Sequence, residues 1–294
     1  MRRALCPVLV YSVFAAVASA QNIVTNGDFG GATIAPWTVS GYAINPGLTR
    51  DDVDGTGVSQ CYAARPGYQT APPASPFVLQ QPVTLVPLDY ELTLDVAHVG
   101  SLLSPSLAMG RIQVFVGNQQ VASFQFTATR QPRVLQRRRL CAIFKPPTTG
   151  SSTLRVELFY TSKATTTSPQ LLVDNVDVRL ARNPMFCVTG ERALGQTVSL
   201  DLVGSPSAVF VVLLSNSELP QPISIPGFKG QLGLGLQVLL PVLSGALDTS
   251  GAFQQSLLVP NVAGIAGVPL YWQALEVTTS AKSLGWHSQQ AFYQ

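Results

Sequence analysis

The residues able to do chemistry in this chain are few, and their spacing restricts what they can do. Only two histidines occur, His98 and His287, and no Gly-x-Ser-x-Gly is present, so a serine hydrolase lacks its base and its nucleophile turn. Both histidines are expected to be structural. A glycosidase needs two carboxylates flanking a bond, and Glu91, Asp95 and Glu157 sit in runs that could share one sandwich, but nothing in their spacing sets two of them at that separation. The loop Asp51-Asp52-Val53-Asp54-Gly55-Thr56-Gly57 offers carboxylate oxygens with glycine for a turn, a chemistry suited to a hard cation such as calcium. The twelfth position from Asp52 is Ala63 and not a closing glutamate, so the loop is not an EF-hand. Asp52 and Asp54 are the candidate ligands, with a solvated turn as the alternative.

Saccharide recognition asks for a flat aromatic face beside planar polar side chains that meet hydroxyls. Arg111-Ile112-Gln113-Val114-Phe115-Val116 alternates with a period of two, which sends Ile112, Val114 and Val116 to one face and Arg111, Gln113 and Phe115 to the other. Thr153 to Tyr160 alternates likewise, with Leu154, Val156, Leu158 and Tyr160 inward and Arg155 and Glu157 outward. If the two strands share a sheet, Arg111, Gln113, Phe115, Arg155 and Glu157 line one groove, and a solvated face with an ion pair is the plainer alternative. Trp37, Tyr42, Tyr62 and Tyr68 are a second candidate surface on the edge loops, although the context of Trp37 also suits a core residue.

The elements that must carry these residues are strands. The chain is 46% hydrophobic but only 11% charged and holds 24 Gly and 22 Pro, a composition with ample core material and many turns. Apolar or alternating runs occur at Trp37 to Ile44, Val58 to Ala63, Phe77 to Leu85, Tyr90 to Val99, Arg111 to Val116, Gln120 to Thr127, Arg133 to Phe144, Thr153 to Thr161 and Leu171 to Leu180. Gly117-Asn118 supplies a tight hairpin between two of them. Beyond Arg182-Asn183-Pro184 a second series follows: Thr197 to Val203, Ala208 to Leu214, Ile223 to Phe228, Leu236 to Val242, Phe253 to Val259, Leu270 to Val277 and Gly285 to Phe292. The nearly uncharged Gln231 to Gly245 cannot be typed by periodicity and could face a partner. No sustained helical stripe is visible, so the expected fold is all-β: a jelly-roll sandwich and then a second, smaller β-sandwich. Expected boundaries are 1–20 for a signal peptide, 21–182 for the first domain and 183–294 for the second.

The signal peptide is read from Arg2 and Arg3, the apolar Leu5 to Val17 and the small residues Ala18-Ser19-Ala20, with processing near Gln21. The apolar run is shorter than the ~20 residues of a spanning helix, so no membrane span is expected once it is removed. The protein is therefore expected outside the cell or on its surface. Without Arg2 and Arg3 the basic and acidic residues differ by one, which gives nucleic acid nothing to bind.

The opening Ile23-Val24-Thr25-Asn26-Gly27-Asp28-Phe29 and the closing Leu171-Leu172-Val173-Asp174-Asn175-Val176-Asp177-Val178 together resemble the first and last strands of a galactose-binding-domain-like β-sandwich, the jelly roll of many carbohydrate-binding modules. The resemblance covers residues 22–180. It implies neighbouring terminal strands, a polysaccharide or glycoconjugate partner, no required cofactor, and a structural calcium held by a loop and the closing-strand aspartate, here Asp174. Those modules carry an acidic ligand just after the opening Phe, where this chain has Gly30. Segments 194–202, 247–252 and 270–275 resemble a terminal β-domain of secreted bacterial proteins. The function implied is a secreted, non-catalytic carbohydrate-binding protein with a further cell-surface protein as a second partner. A structural or assembly protein of the envelope is the rival, and a glycan-active enzyme comes third.

Cys61, Cys141 and Cys187 remain after signal removal, so one bridge and one thiol are expected. Cys61 with Cys141 is the expected pair, because both fall in first-domain strands, with Cys141–Cys187 or three buried thiols as alternatives. No Cys-x-x-Cys supports zinc. Arg130, Arg133, Arg137, Arg138 and Arg139 fall within ten residues and read as a solubilising edge strand, or less simply as a patch for an anionic polysaccharide.

Overall fold

The computed structural model describes residues 22–66, 76–99, 110–126, 135–160 and 170–292, so the expected signal peptide, Tyr68, Arg130 and Arg133 lie outside the described residues. Apart from one 3-10 turn at Ala263–Ile265, every regular element among them is a strand.

The first sandwich comprises β1 (Thr38–Ser40), β2 (Ala43–Asp51), β3 (Ser59–Pro66), β4 (Phe77–Leu85), β5 (Tyr90–Val99), β6 (Gly110–Val116), β7 (Gln119–Gln125), β8 (Leu135–Phe144), β9 (Gly150–Tyr160) and β10 (Gln170–Leu180). They make two antiparallel sheets, β1-β4-β9-β6-β7 and β2-β3-β10-β5-β8. Alternation dictates the packing. Ile112, Val114, Leu154, Val156 and Leu158 are wholly buried between the sheets, each such side chain stabilising the fold by about 1.5–3 kcal/mol. Phe29, Trp37, Tyr62 and Phe77 join the same core as a chain of ring contacts. The β6–β7 hairpin turns at Gly117-Asn118, where Gly117 has φ +59°, a conformation that glycine adopts without strain.

The opening segment lies beside the closing strand, as expected, but it is a run of bends and turns and not the strand that the resemblance implies. Ile23 N donates to the Val178 carbonyl at 2.8 Å and Val176 N to the Gly27 carbonyl at 2.9 Å. The Asn22 carboxamide accepts from Val178 N and donates to the Val176 carbonyl, which fixes the pairing. A Cβ at Gly27 would strike the Val176 carbonyl, so only glycine permits this approach.

The second sandwich holds β11 (Met185–Gly190), β12 (Thr197–Val203), β13 (Val209–Ser215), β14 (Glu218–Ile223), β15 (Phe228–Lys229), β16 (Leu232–Leu234), β17 (Leu239–Ala246), β18 (Ala252–Leu258), β19 (Pro269–Val277) and β20 (Lys282–Ala291). A three-stranded sheet β11-β12-β18 packs on the five-stranded β15-β20-β19-β13-β17, with Phe186, Leu200, Phe210 and Trp272 between them. The fold is thus a jelly-roll sandwich followed by a second, smaller one.

Several elements depart from the sequence pattern. Trp37 to Ile44 is two strands in different sheets, and β2 runs on to Asp51 because a register shift between Ile44 and Gly47 absorbs Asn45 and Pro46. Ile223 to Phe228 is not a strand; it holds a turn at Gly227, with φ +81°, between the end of β14 and the start of β15. β11 carries no alternation to announce it, since four consecutive residues, Met185 to Val188, are buried.

His98 is wholly buried on β5 and stacks on Phe126 at 5.5 Å. Burial pushes its imidazole down to about 4. A base whose pKa is depressed in the folded state contributes stability that is intact above the unfolded value near 6.5 and lost as pH falls toward 4. The difference in unfolding free energy between the wild type and His98→Gln should therefore be flat above pH 7 and shift by about 3 kcal/mol against the wild type by pH 4. A difference independent of pH across that window would mean that His98 titrates in the folded protein as it does in the unfolded chain.

Candidate functional site

The sequence-derived groove residues do come together. β6 and β9 are neighbours, and their register sets Phe115 opposite Arg155, Gln113 opposite Glu157 and Arg111 opposite Phe159. The rows continue across the sheet on both sides: Thr38, Gln80, Arg155, Phe115 and Gln120 form one, and Ser40, Val78, Glu157, Gln113 and Ser123 the next. Arg111, Gln113, Phe115, Arg155 and Glu157 are all half-buried on this outer face. The Arg155 guanidinium lies 4.6 Å from the Phe115 ring centre and its Nε 2.8 Å from Glu157 Oε1. Arg111 sits 5.5 Å from the Phe159 ring, and Gln113 Nε2 donates to Gln120 Oε1 at 2.8 Å. The face therefore presents guanidinium and carboxamide planes already held in place by rings and by one carboxylate. Such groups donate and accept in fixed directions at low ordering cost.

Of the second aromatic surface, Trp37 and Tyr62 are core residues, 3% and 2% exposed, Tyr42 stands out in solvent, and Tyr68 lies outside the described residues.

The acidic loop is spent on internal contacts. The Asp52 carboxylate pairs with the Arg137 guanidinium at 2.9 Å, and its other oxygen accepts from Gly57 N. Asp54 accepts from Thr56 N and Oγ1 and from the Asn175 carboxamide. Asp174, 1% exposed, accepts from Ser59 Oγ at 2.8 Å and from Asn175 N, and burial pushes its carboxyl up to about 7. Asp52, Asp54 and Asp174 do not form a cation cage, and no group of three His, Cys, Asp or Glu does so among the described residues. An arginine takes the charge-compensating role that calcium would have. The residues present do not fit the ion.

The remaining chemistry lies where the two sandwiches meet. Asp95, wholly buried on β5, is held by Arg139 from β8 at 2.5 Å and by Arg192 from beyond β11 at 3.4 Å. Burial alone would raise its pKa, but the two guanidiniums outweigh this and hold the carboxyl below the usual range. Arg139 also donates to the Gln289 carbonyl and Arg138 pairs with Glu191, so the arginine run docks the second sandwich. β8 is an edge strand, as the sequence suggested, yet its Arg137, Arg138 and Arg139 are mostly buried and do not solubilise it.

The disulfide expected between Cys61 and Cys141 is corrected to Cys141–Cys187, which joins β8 to β11 with Cα atoms 6.5 Å apart. β3 and β8 are separated by β10 and β5, and three strand spacings of ~4.8 Å put Cys61 beyond bridging distance. Cys61 is a buried thiol in a small apolar cluster, and burial pushes its pKa up to about 12.

No protein-family profile matches the chain, and no curated protein is similar to it in sequence. Solved structures with a similar layout include a family 61 carbohydrate-binding module in complex with β-1,4-galactotriose, at 15% identity and TM-score 0.37, over 54% of this chain and 98% of that one. The CBM22-1 xylan-binding domain of Paenibacillus barcinonensis Xyn10C aligns at 19% identity and TM-score 0.33, over 55% and 95%. A GH2 β-galacturonidase from Eisenbergiella tayi aligns at 10% identity and TM-score 0.32, over 89% of this chain but 42% of the enzyme. At such similarity the sheets themselves, and not the neighbours, establish the fold.

Two outcomes are expected. Asp95→Ala leaves Arg139 and Arg192 without their shared carboxylate and should cost about 3–5 kcal/mol in denaturant unfolding; a loss under about 1 kcal/mol would show that solvent reaches the cluster. Calcium or a chelator should leave the melting temperature unchanged. A rise with calcium would show that the aspartates can release their present partners for the ion.

Proposed function

We propose that the protein is an exported, non-catalytic carbohydrate-binding protein that takes a polysaccharide or glycoconjugate on the outer face of the β1-β4-β9-β6-β7 sheet. The observation that carries this reading is the register that lays Phe115, Arg155, Gln113 and Glu157 beside Gln80 and Gln120 in two continuous rows. Aromatic faces and guanidinium planes suit the flat faces of pyranose rings, and the carboxamides suit their hydroxyls. Glu157 is the one carboxylate in these rows and is ion-paired to Arg155, so the face lacks the second acid that glycosidic cleavage requires. No helix among the described residues is long and apolar enough to cross a membrane.

A second reading, a structural or assembly role in the envelope, is favoured by one observation. Leu236, Val238, Leu240 and Val242 on and before the edge strand β17, with Val209 on β13, are all exposed in an almost uncharged region. A cell-surface protein could pair there.

A glycan array on the purified chain tests the first reading, with Phe115→Ala and Arg155→Ala as paired variants. Each should weaken binding to a confirmed glycan by about 1–3 kcal/mol, roughly tenfold or more, because ligand hydroxyls or a ring face lose their partner. The melting temperature should stay near that of the wild type, since both side chains leave the core face untouched. Unchanged binding would overturn the site, and an array with no bound glycan would favour the assembly reading.

A further inference from the structure

The contact between the two sandwiches forms an open cleft of about 230 Å³, walled by the outer face of the β2-β3-β10-β5-β8 sheet, by the Cys141–Cys187 bridge and by β20. Its lining is mostly polar, and several of its polar atoms have no hydrogen-bond partner within the protein. Glu91, 5% exposed, uses one oxygen on Arg179 at 3.5 Å and leaves Oε2 unpaired. Asp177 pairs through Oδ2 with the same guanidinium at 3.3 Å and leaves Oδ1 unpaired. Across the cleft on β20, Ser288 Oγ is unpaired, and Gln290, 2% exposed, has neither its carbonyl oxygen nor its amide nitrogen satisfied.

Each buried polar atom left without a partner costs about 1–3 kcal/mol, so a fold that gathers five of them around one space is built to hold something that satisfies them. Their types describe the guest. Glu91 and Asp177 offer acceptors, Gln290 offers both a donor and an acceptor, and Ser288 offers either. A metal ion takes acceptors only and would find the Arg179 guanidinium between the two acids. An anion would face those same acids. A neutral ligand whose hydroxyls both donate and accept meets all of them. The cleft is also small, below the usual volume of a drug-sized site, which suits a molecule of monosaccharide size. Phe186 gives one wall an apolar patch against which ring carbons can rest.

We propose that this cleft is a second binding site, separate from the outer-sheet groove, for a neutral polyhydroxylated molecule of monosaccharide size. Because one wall comes from the first sandwich, one from the second and the disulfide belongs to both, the ligand bridges the two and stabilises their contact.

The full chain, with its disulfide intact, is titrated with galactose, glucose, xylose and mannitol, and binding is read by calorimetry and by the shift in melting temperature. At least one of the four should bind and raise the melting temperature. Ser288→Ala and Gln290→Leu should weaken that binding about tenfold or more, and Gln290→Leu should not lower the melting temperature of the free protein, since it removes two unsatisfied atoms. Phe115→Ala should leave it unchanged, which separates this site from the groove. The proposal is overturned if none of the four binds at millimolar concentration, if either β20 variant binds as the wild type does, if Phe115→Ala abolishes the effect, or if calcium alone reproduces the shift.

Discussion

The docking of the second sandwich on the first turns on one buried carboxylate. Asp95 occupies a β5 position that faces away from the jelly-roll core, where alternation would ordinarily leave it in water, and two guanidiniums meet it there, Arg139 from the same sheet and Arg192 from the following domain. A carboxylate and two arginines taken out of water each bear a desolvation penalty of several kcal/mol, offset only when the geometry is close and the charges are shared. The cluster therefore admits one docking arrangement of the two sandwiches and penalises others. The Cys141–Cys187 bridge lies on the same strand as Arg139, two residues away, and ties that arrangement covalently. Arg138 with Glu191, and Trp286 flanked by Arg179 and Arg182, extend the contact to either side.

This contact explains why two sheet faces with similar sequences behave so differently. The outer faces of both jelly-roll sheets alternate apolar and polar, and both carry arginines beside acids. On the β6 and β9 strands the pairing is Arg155 with Glu157 on one strand, open to solvent on one side, where such a pair adds little stability and the side chains remain available. On the β5 and β8 strands the same chemistry is covered by the second sandwich, and the pairs become structural. Burial, and not residue type, separates a surface that can meet a long ligand from one that can only enclose a small one.

Much of the outer groove was legible in the sequence, because period-two alternation is a local signal and face assignment needs nothing else. Arg111, Gln113, Phe115, Arg155 and Glu157 sit where alternation puts them. The adjacency of β6 and β9 was a guess about topology that the sheet order satisfies. The opening motif also read correctly as a partner of β10, since Asn22 and Gly27 serve backbone needs that depend on little else. Failures share a different cause: each needed knowledge of what packs on a face. Cys61 and Cys141 belong to the same sheet, but sequence does not say that two strands intervene. Tyr62 looks like an exposed ring platform until the opening segment folds over it with Phe29, whereas Trp37 is the core residue its context suits. The arginine run reads as a solubilising edge until Glu191 and Gln289 arrive from far along the chain.

The acidic loop shows the same limit most sharply, and it also shows how one substitution of chemistry can replace another. A loop of alternating aspartates beside a closing-strand aspartate suggests a cation, because carboxylates that converge must be neutralised. Here Arg137 reaches back across the sheet to Asp52 and supplies the positive charge, while Ser59 and Asn175 satisfy Asp174 and Asp54 by hydrogen bonds. The physical demand that the sequence announces, compensation of clustered negative charge, is met at Asp52 by Arg137 and elsewhere by hydrogen bonds, while burial still pushes the Asp174 carboxyl up to about 7. The means differ from those of an ion site because the required cation is a side chain from β8, a strand that pairs with β5 along its whole length. The loop is thus tied to the same strand as the Asp95 cluster: Arg137 and Arg139 hold Asp52 and Asp95 within the first sandwich, while Arg138 and Arg192 carry the contact to the second, so a chain that lost the docking would take Arg192 from Asp95 and Glu191 from Arg138 and keep the pairing of Arg137 with Asp52.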